Sequence, residues 1–171
     1  MKKIAMMLLI ALFTFQVADA QEFRLKKEIE FSPIVQFSRS SSSSFYNAGG
    51  IATFRYFVLP RLAVYGQFGA GISSLKYSDV RLNGFSYTYG AGVNYFFKPN
   101  QSGFYLNGGI GLGRIQTNNL QMDDTWYGKV GLGYRFKLSD RTYLSLEQNV
   151  RFNMGERRAF LEPRIGIGIK F

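Results

Sequence analysis

The sequence predicts an all-β fold, an eight-stranded antiparallel up-and-down transmembrane β-barrel, and three observations support this prediction. Apolar and polar residues alternate with period two in eight segments along the chain. Most of these segments run to about 10–13 residues, longer than the usual strand of a globular sheet but suited to a tilted membrane span. Aromatic residues make up 17% of the chain, as expected where barrel strands meet a bilayer interface. We predict strands at 28–37, 46–58, 62–76, 85–97, 104–116, 126–136, 143–152 and 161–171.

The first twenty residues have the features of a secretory signal peptide. Lys2 and Lys3 precede an apolar stretch, and the segment ends on the small-residue pattern Ala18-Asp19-Ala20. An uncleaved anchor helix is the alternative, but an apolar run of about a dozen residues is short for a bilayer that needs roughly 20. We therefore expect residues 1–20 to be cleaved and residues 21–171 to form one exported barrel domain.

Each predicted strand has one polar and one apolar face. In the last strand, alternate residues from Leu161 to Phe171 are mostly apolar, and those between them are polar or Gly. The polar face is expected to point into the barrel, because an eight-stranded barrel is filled by its inward side chains. The expected inward set is Glu30, Arg55, Gln67, Asn94, Asn107, Lys129, Arg135, Glu147, Asn149, Arg151, Glu162 and Arg164.

The connections between strands divide into two groups. Residues 59–61, 98–103 and 138–141 carry Pro, Asn, Asp, Ser or Gly and are expected to form short periplasmic turns. Residues 38–45, 78–84, 117–124 and 154–158 are polar and mostly longer, and are expected to face outward from the cell. An even strand number with both termini on one side is what a closed antiparallel barrel requires.

Aromatic residues cluster by height on the apolar faces. Two girdles around an aliphatic belt are typical of a transmembrane barrel. The first, at the periplasmic ends, comprises Tyr56, Tyr95, Phe97, Phe104, Tyr134, Phe136 and Phe171. The second, at the outer ends, comprises Phe37, Phe85, Tyr87, Trp126 and Phe152.

With these features the chain resembles the small outer-membrane barrels of the OmpX/OmpA-like type, and more loosely the porin-family outer membrane protein β-barrel domain. The resemblance covers residues 21–171 and includes the terminal run Arg164-Ile165-Gly166-Ile167-Gly168-Ile169-Lys170-Phe171. It implies location in the cell outer membrane of a Gram-negative bacterium. It also implies that Phe171, with Ile169 and Ile167, is the signal that the barrel-assembly machinery reads during insertion.

Acids and bases are interleaved on the predicted inward faces. Buried charges are tolerated only when they are paired and hydrogen-bonded. We therefore expect an interior ion network, with two interpretations: ion pairs that fill and register the barrel, or a gate on a narrow ion path. Inward glycines either leave room for water or a ligand, or accommodate Tyr65, Tyr105 and Tyr127. The expected network is Glu147, Arg151, Glu162, Arg164, Arg135, Lys129, Arg55 and Glu30.

The chain is basic, with a formal net charge of +10. An exported chain rarely meets nucleic acid, so no nucleic-acid partner is expected, and the expected partners are membrane lipids including lipopolysaccharide. Arg157 and Arg158, at an outer loop, are the expected contacts to lipid phosphates. The alternative is that these arginines are ordinary solvated loop charge. A monomer is expected.

The sequence contains no His and no Cys. Nucleophilic mechanisms that pair Ser or Cys with His are therefore unavailable, and we expect no catalytic, cofactor-binding or metal site. The expected function is that of a non-enzymatic integral outer-membrane barrel with a structural, membrane-stabilising or minor porin-like role. The alternatives are a surface ligand- or lipopolysaccharide-binding barrel and a soluble periplasmic barrel, which would have an apolar interior.

Overall fold

A computed structural model describes residues 27–39, 43–77, 80–117, 124–154 and 158–171, which form eight strands. The predicted signal peptide and its cleavage site lie outside the described residues. The described residues include no helix long and apolar enough to cross a membrane. The strands are β1 (Lys27–Arg39), β2 (Ser43–Leu59), β3 (Leu62–Tyr77), β4 (Val80–Phe96), β5 (Gly103–Thr117), β6 (Thr125–Lys137), β7 (Thr142–Asn153) and β8 (Arg158–Lys170).

The sheet closes on itself. Every strand pairs antiparallel with its chain neighbour, and β8 pairs with β1. Register partners followed once around the barrel from Lys170, through Glu28 on β1, lead back to Phe160 on β8, an offset of ten residues. This stagger accompanies the strand tilt that closure requires. The predicted fold class, an eight-stranded antiparallel up-and-down barrel, is confirmed.

The seam between β1 and β8 has the fewest register pairs in the described sheet. Pairing runs from Glu28 opposite Lys170 to Phe31 opposite Ile167 and stops there. Lys27 and Phe171 exchange backbone hydrogen bonds across this seam. Every second residue counted from Lys27 along β1, and from Phe171 back along β8, therefore directs its backbone N–H and C=O groups toward the seam. Pro33 and Pro163 stand at such positions. Because proline has no N–H, each removes a donor from the seam where the pairing ends.

The strands are longer at one end of the barrel than the sequence predicts. We name the end that holds the 60–61, 97–102 and 138–141 connections the turn end, and the opposite end the loop end. At the loop end β2 begins at Ser43 and β4 begins at Val80. The prediction of loops over 38–45 and 78–84 is therefore wrong in part, because backbone pairing tolerates polar side chains and continues past the apolar part of each strand.

Side chains alternate between a polar interior and an apolar exterior. On β8 the inward Glu162 and Arg164 are buried, whereas the outward Ile165 and Ile167 are more than half exposed. Other strands show the same arrangement, with exposed apolar side chains on their outer faces: Val35, Phe68, Ile110 and Val130. A soluble barrel would show the reverse arrangement, so the exterior is suited to a lipid solvent.

Aromatic side chains meet on the outer surface of the turn end. The ring centroids of Phe104 and Tyr134 are 4.8 Å apart and nearly perpendicular. Tyr134 is also 4.6 Å from Phe136, and Tyr95 is 5.8 Å from Phe97. The first contact joins β5 to β6, and all three pairs belong to the turn-end girdle that the sequence predicts. Such a belt is typical of the membrane interface.

Replacing Ile167 with Arg is expected to destabilise the barrel in a bilayer. The side chain lies on the outer face with 54% of its surface exposed, so the charge would lie in the apolar band, at a cost of about 2–4 kcal/mol near the midplane. Urea unfolding in phospholipid vesicles measures this change. Gln116→Arg, at an exposed position beside the loop end of β5, is the matched control and should change little. Equal stability of the two variants would contradict the lipid-facing assignment.

Candidate functional site

The polar interior of the barrel is the candidate site, because the inward faces gather charged side chains where water has little access. Of the eight residues expected to form the network, seven are buried, and Arg151 is partly buried. Each buried charge must find a partner or neutralise, since an isolated charge at low dielectric is costly. The seven are Glu30, Arg55, Lys129, Arg135, Glu147, Glu162 and Arg164.

Arg55 is the centre of the interior on the turn-end side. Its Nη1 donates to Glu30 Oε2 at 3.0 Å, and its Nη2 lies 3.3 Å from Glu30 Oε1. Its Nε donates to Asn94 Oδ1 at 2.8 Å and Nη1 also reaches the Tyr143 hydroxyl at 3.2 Å. The guanidinium thus binds the carboxylate with two nitrogens, the geometry that gives Arg–carboxylate pairs their strength.

A second ion pair connects β1 to β6. Glu28 is fully buried, and its Oε1 accepts a hydrogen bond from Arg135 Nη1 at 3.0 Å. The Arg135 guanidinium stacks on the ring of Tyr143 at 3.8 Å and on that of Phe96 at 4.5 Å. Lys170 Nζ lies 3.6 Å from the same carboxylate oxygen. The sequence analysis assigned Arg135 to the interior network but not Glu28 or Lys170. Strand alternation places Glu28 on the same face as Glu30, so this residue could have been predicted.

The loop-end side of the interior holds a separate cluster. Glu162 lies against Arg164, its neighbour two residues along β8, and 3.7 Å from Arg151 Nη1. Gln67 Oε1 accepts from Lys129 Nζ at 2.8 Å and from Arg164 Nη1 at 3.2 Å. The structure therefore brings together Arg151, Glu162 and Arg164 as the sequence predicts.

Glu147 is placed inside the barrel but binds different partners from those expected. The sequence grouped it with Arg151, Glu162 and Arg164. Its carboxylate instead accepts hydrogen bonds from the Tyr105 hydroxyl at 2.9 Å and from Asn149 Nδ2 at 2.6 Å. Arg164 is its register partner on β8, but the Arg164 side chain turns toward Glu162. Glu147 is therefore held by hydrogen bonds to Tyr105 and Asn149.

Inward tyrosines occupy the space that glycines leave on nearby strands. A Cβ built on Gly133 would fall within the ring of Tyr105, and one on Gly168 within that of Tyr143. Tyr65 and Tyr127 are placed likewise, with Tyr65 against Gly92 and Gly109 and Tyr127 against Gly111. Of the two interpretations of the inward glycines, the structure favours accommodation of large rings over open space.

Tyr127 also connects the loop-end cluster to the sheet. Its hydroxyl accepts a hydrogen bond from Gln67 Nε2 at 2.8 Å and lies 3.1 Å from Thr88 Oγ1. The Arg151 guanidinium stacks on its ring, with Cζ 3.8 Å from the ring centroid. A single side chain thus combines a stacked cation with two hydrogen bonds, which restricts its rotation across the barrel axis.

The proposed assembly residues lie on the outer face at the turn end. Ile167, Ile169 and Phe171 are each more than half exposed. The Phe171 ring lies 6.4 Å from that of Phe54, across the seam from β8. Their recognition by the barrel-assembly machinery stays a prediction.

The predicted lipid-phosphate pair falls at the edge of what the structure describes. Arg157 lies outside the described residues. Arg158 is the first residue of β8, but its side chain lies outside them too. Contact of either residue with lipid phosphate stays a prediction.

Comparison with known proteins identifies the fold through structure. No protein-family model matches the sequence, and no curated protein does. The barrel of Ail, the attachment invasion locus protein of Yersinia pestis, in complex with the heparin analogue sucrose octasulfate, superposes with a TM-score of 0.61 at 13% identity, covering 87% of this chain and 100% of that one.

Two further barrels show the same fold. The N-terminal β-barrel domain of Pseudomonas aeruginosa OprF has a TM-score of 0.59 at 15% identity, covering 85% of this chain and 97% of that one. Neisserial surface protein A has a TM-score of 0.59 at 15% identity, covering 86% and 96%. The chain therefore has the fold of the small outer-membrane barrels that it resembles in sequence pattern.

Replacing Gly133 with Ala is expected to destabilise the barrel by about 1–3 kcal/mol, because the added methyl group would displace the Tyr105 ring and weaken its bond to Glu147. Gly66→Ala is the matched control, since a Cβ there meets no atom within 4 Å. Urea unfolding of both variants in detergent micelles measures the difference. A loss at Gly66 as large as that at Gly133 would contradict the packing role of the ring.

Proposed function

We propose that this chain is a non-enzymatic integral outer-membrane barrel that serves as a structural, membrane-stabilising element. The observation that carries the proposal is the filled interior inside an apolar exterior. Side chains of Arg55, Arg135 and Asn149 are at most 2% exposed, and they lie where a conducting barrel would hold water. The protein thus offers the membrane a rigid span.

Two observations support the outer membrane as its location. The first is the segment of residues 1–20, whose pattern is that of an export signal. The second is the likeness in fold to barrels such as Neisserial surface protein A. Because the outward strand faces are apolar, a lipid environment is the one in which this surface is stable.

The side-chain inventory supports a non-enzymatic role. The chain has no His and no Cys, so it lacks the residues most often used for acid–base and thiol chemistry. Its acids in the interior are engaged by arginine, tyrosine or asparagine. Glu30 and Glu147, for example, each accept hydrogen bonds from two residues or from a bidentate guanidinium.

A filled interior predicts that the barrel, purified from outer membranes and inserted into a planar bilayer, shows no discrete ion-channel openings. Glu147→Gln should also be silent but should lose about 1–3 kcal/mol of stability, because the charged acceptor of two buried hydrogen bonds is removed. Single-channel recording and urea unfolding measure the two effects.

The control for this variant is Asp140→Asn, which breaks an exposed pair with Lys137 and should leave stability unchanged. Discrete openings of the parent barrel, altered by Glu147→Gln, would replace the structural role with a gated porin-like one.

A second candidate function is binding of lipopolysaccharide phosphates, favoured by the register at the loop end. Arg39 is the partner of Ser44, Ser44 of Lys76, and Lys76 of Arg81. Of these residues, Lys76 is exposed, and strand alternation assigns it to the same outer face as exposed Ile72 on β3. Three basic positions thus follow one another across four strands at the edge of the apolar band. Ail, a barrel of the same fold, is known in complex with the polyanion sucrose octasulfate.

Changing both Lys76 and Arg81 to Gln is expected to reduce the lipopolysaccharide that co-purifies with the barrel, because each base removed from the row lowers its attraction for phosphate. Quantifying bound lipid A phosphate per barrel by mass spectrometry measures this. Lys98→Gln with Lys137→Gln, at exposed positions of the turn end, removes the same charge and is the control. Unchanged lipid in the first variant would count against this second function.

A further inference from the structure

The outer wall of the turn end contains a groove that the filled interior does not explain. The groove crosses the barrel wall from the end of β4 to β6. The backbone N–H of Phe97, directly after β4, donates to the carbonyl of Phe104 on β5 at 3.1 Å, and Phe104 is the register partner of Tyr134 on β6. The groove has a volume of about 390 Å³. It is lined by Phe97, Lys98, Gly103, Phe104, Leu132 and Tyr134.

The walls of the groove are apolar and face away from the barrel. Phe104 is 53% exposed and Leu132 is 47% exposed. The Phe104 and Tyr134 rings are 4.8 Å apart and nearly perpendicular, so each restricts the other. In a bilayer the solvent outside this wall is lipid, and the groove extends the apolar band to its turn-end edge. Such a groove accommodates part of one apolar chain.

Gly103 and Lys98 form the border of the groove on the water side. Gly103 has a φ of +80°, a backbone conformation that favours glycine. A Cβ built on Gly103 would lie 3.7 Å from Lys98 Cδ and 3.8 Å from Lys98 Cε, so the Lys98 stem packs along this glycine. A lysine in this position covers apolar surface with its methylene groups and presents its ammonium at the water boundary.

Lys98 is the charged residue of the groove, and its surroundings are basic. None of the ion pairs between described residues includes Lys98. The three turns of this end together carry three bases, Arg61, Lys98 and Arg141, and one acid, Asp140. Basic residues beside a bilayer surface attract anionic headgroups. The groove is therefore complementary to a ligand with an apolar chain and an anionic group at its water-facing end.

We propose that this groove binds one phospholipid whose headgroup has a net negative charge. One acyl chain packs along Phe104 and Leu132, and Lys98 donates a charge-assisted hydrogen bond to the phosphate. The cationic amine of a zwitterionic headgroup competes with Lys98 for that phosphate, so an anionic lipid is preferred. The site rests on the membrane location proposed above, because the groove meets lipid only when the outer face spans a bilayer. It lies at the end opposite to the bases considered for lipopolysaccharide.

The lipid beside the groove is measured by fluorescence quenching. The chain has one tryptophan, Trp126. Trp126→Phe together with Phe136→Trp moves the reporter next to Tyr134, whose ring is 4.6 Å from that of Phe136, and leaves the groove lining unchanged. The full barrel, purified from outer membranes, is reconstituted into vesicles that mix phosphatidylglycerol with phosphatidylcholine, one of them brominated. We expect phosphatidylglycerol to be preferred about fivefold at this reporter.

Three variants in the reporter background assign the preference to the groove. Lys98→Gln should bring the ratio of the two binding constants close to one, whereas Lys98→Arg should retain the preference. Arg141→Gln is the matched control, because it removes the same charge from an exposed position of the same end without touching the groove. An unchanged preference in Lys98→Gln, or an equal loss in Arg141→Gln, overturns the proposal.

The same measurement separates failure of the site from failure of the membrane location. Quenching by both brominated lipids with equal binding constants overturns the site and leaves the membrane location standing. Absence of quenching by either lipid overturns both. Without the reporter substitutions, Trp126 reports on lipid at the loop end, and Lys98→Gln should leave its preference unchanged. An equal change at Trp126 shows a general effect of charge and overturns the proposal.

A second measurement needs no introduced tryptophan. Native mass spectrometry of the barrel in detergent micelles, with phosphatidylglycerol and phosphatidylcholine in equal amounts, should show one retained phosphatidylglycerol that is lost in Lys98→Gln. Glycerol phosphate has the phosphate but no acyl chain, so at the same concentration it should not displace the lipid. Its displacement by glycerol phosphate shows recognition of phosphate alone and overturns the assignment to a phospholipid.

Discussion

The two glutamates at the start of β1 hold the barrel closed from the inside, and much of the interior is arranged around them. The seam between β1 and β8 has four register pairs, and Pro33 and Pro163 remove donors beyond them. Glu28 spans this seam with Lys170 on β8 at 3.6 Å and reaches Arg135 on β6. Glu30 binds Arg55 on β2, which in turn reaches Tyr143 on β7. The first strand is therefore attached to the barrel through its lumen as well as through its edges.

The attachments between strands distant in sequence exist only when the sheet has closed. Glu28 and Arg135 are separated by 107 residues, and Arg55 and Tyr143 by 88. Before closure each of these groups would be a polar or charged side chain without its partner, in or near a lipid phase. The interior therefore favours the complete barrel over any partly closed sheet, and the contacts that stabilise it are long-range ones that form slowly.

The alternation of side chains along each strand determines how much of the interior could be predicted from the sequence. Alternation assigns a face, so the inward positions of Arg55 and Glu162 were predictable, as were the eight strands. It does not assign the diagonal partner across a barrel, so the binding of Glu147 to Tyr105 was missed. Nor does it mark where pairing stops: Val80 begins β4 inside a segment whose polar residues indicated a loop. That boundary depends on backbone hydrogen bonds, which side-chain polarity does not report.

The charged side chains of the interior differ in how deeply they are buried. Glu30 with Arg55 and Glu28 with Arg135 are almost completely buried ion pairs. The cations that share a carboxylate with another base, Arg151 and Lys170, keep 19% and 16% of their side chains exposed. Solvent can therefore screen the charges of Arg151 and Lys170, whereas the two buried ion pairs depend on their partners for compensation.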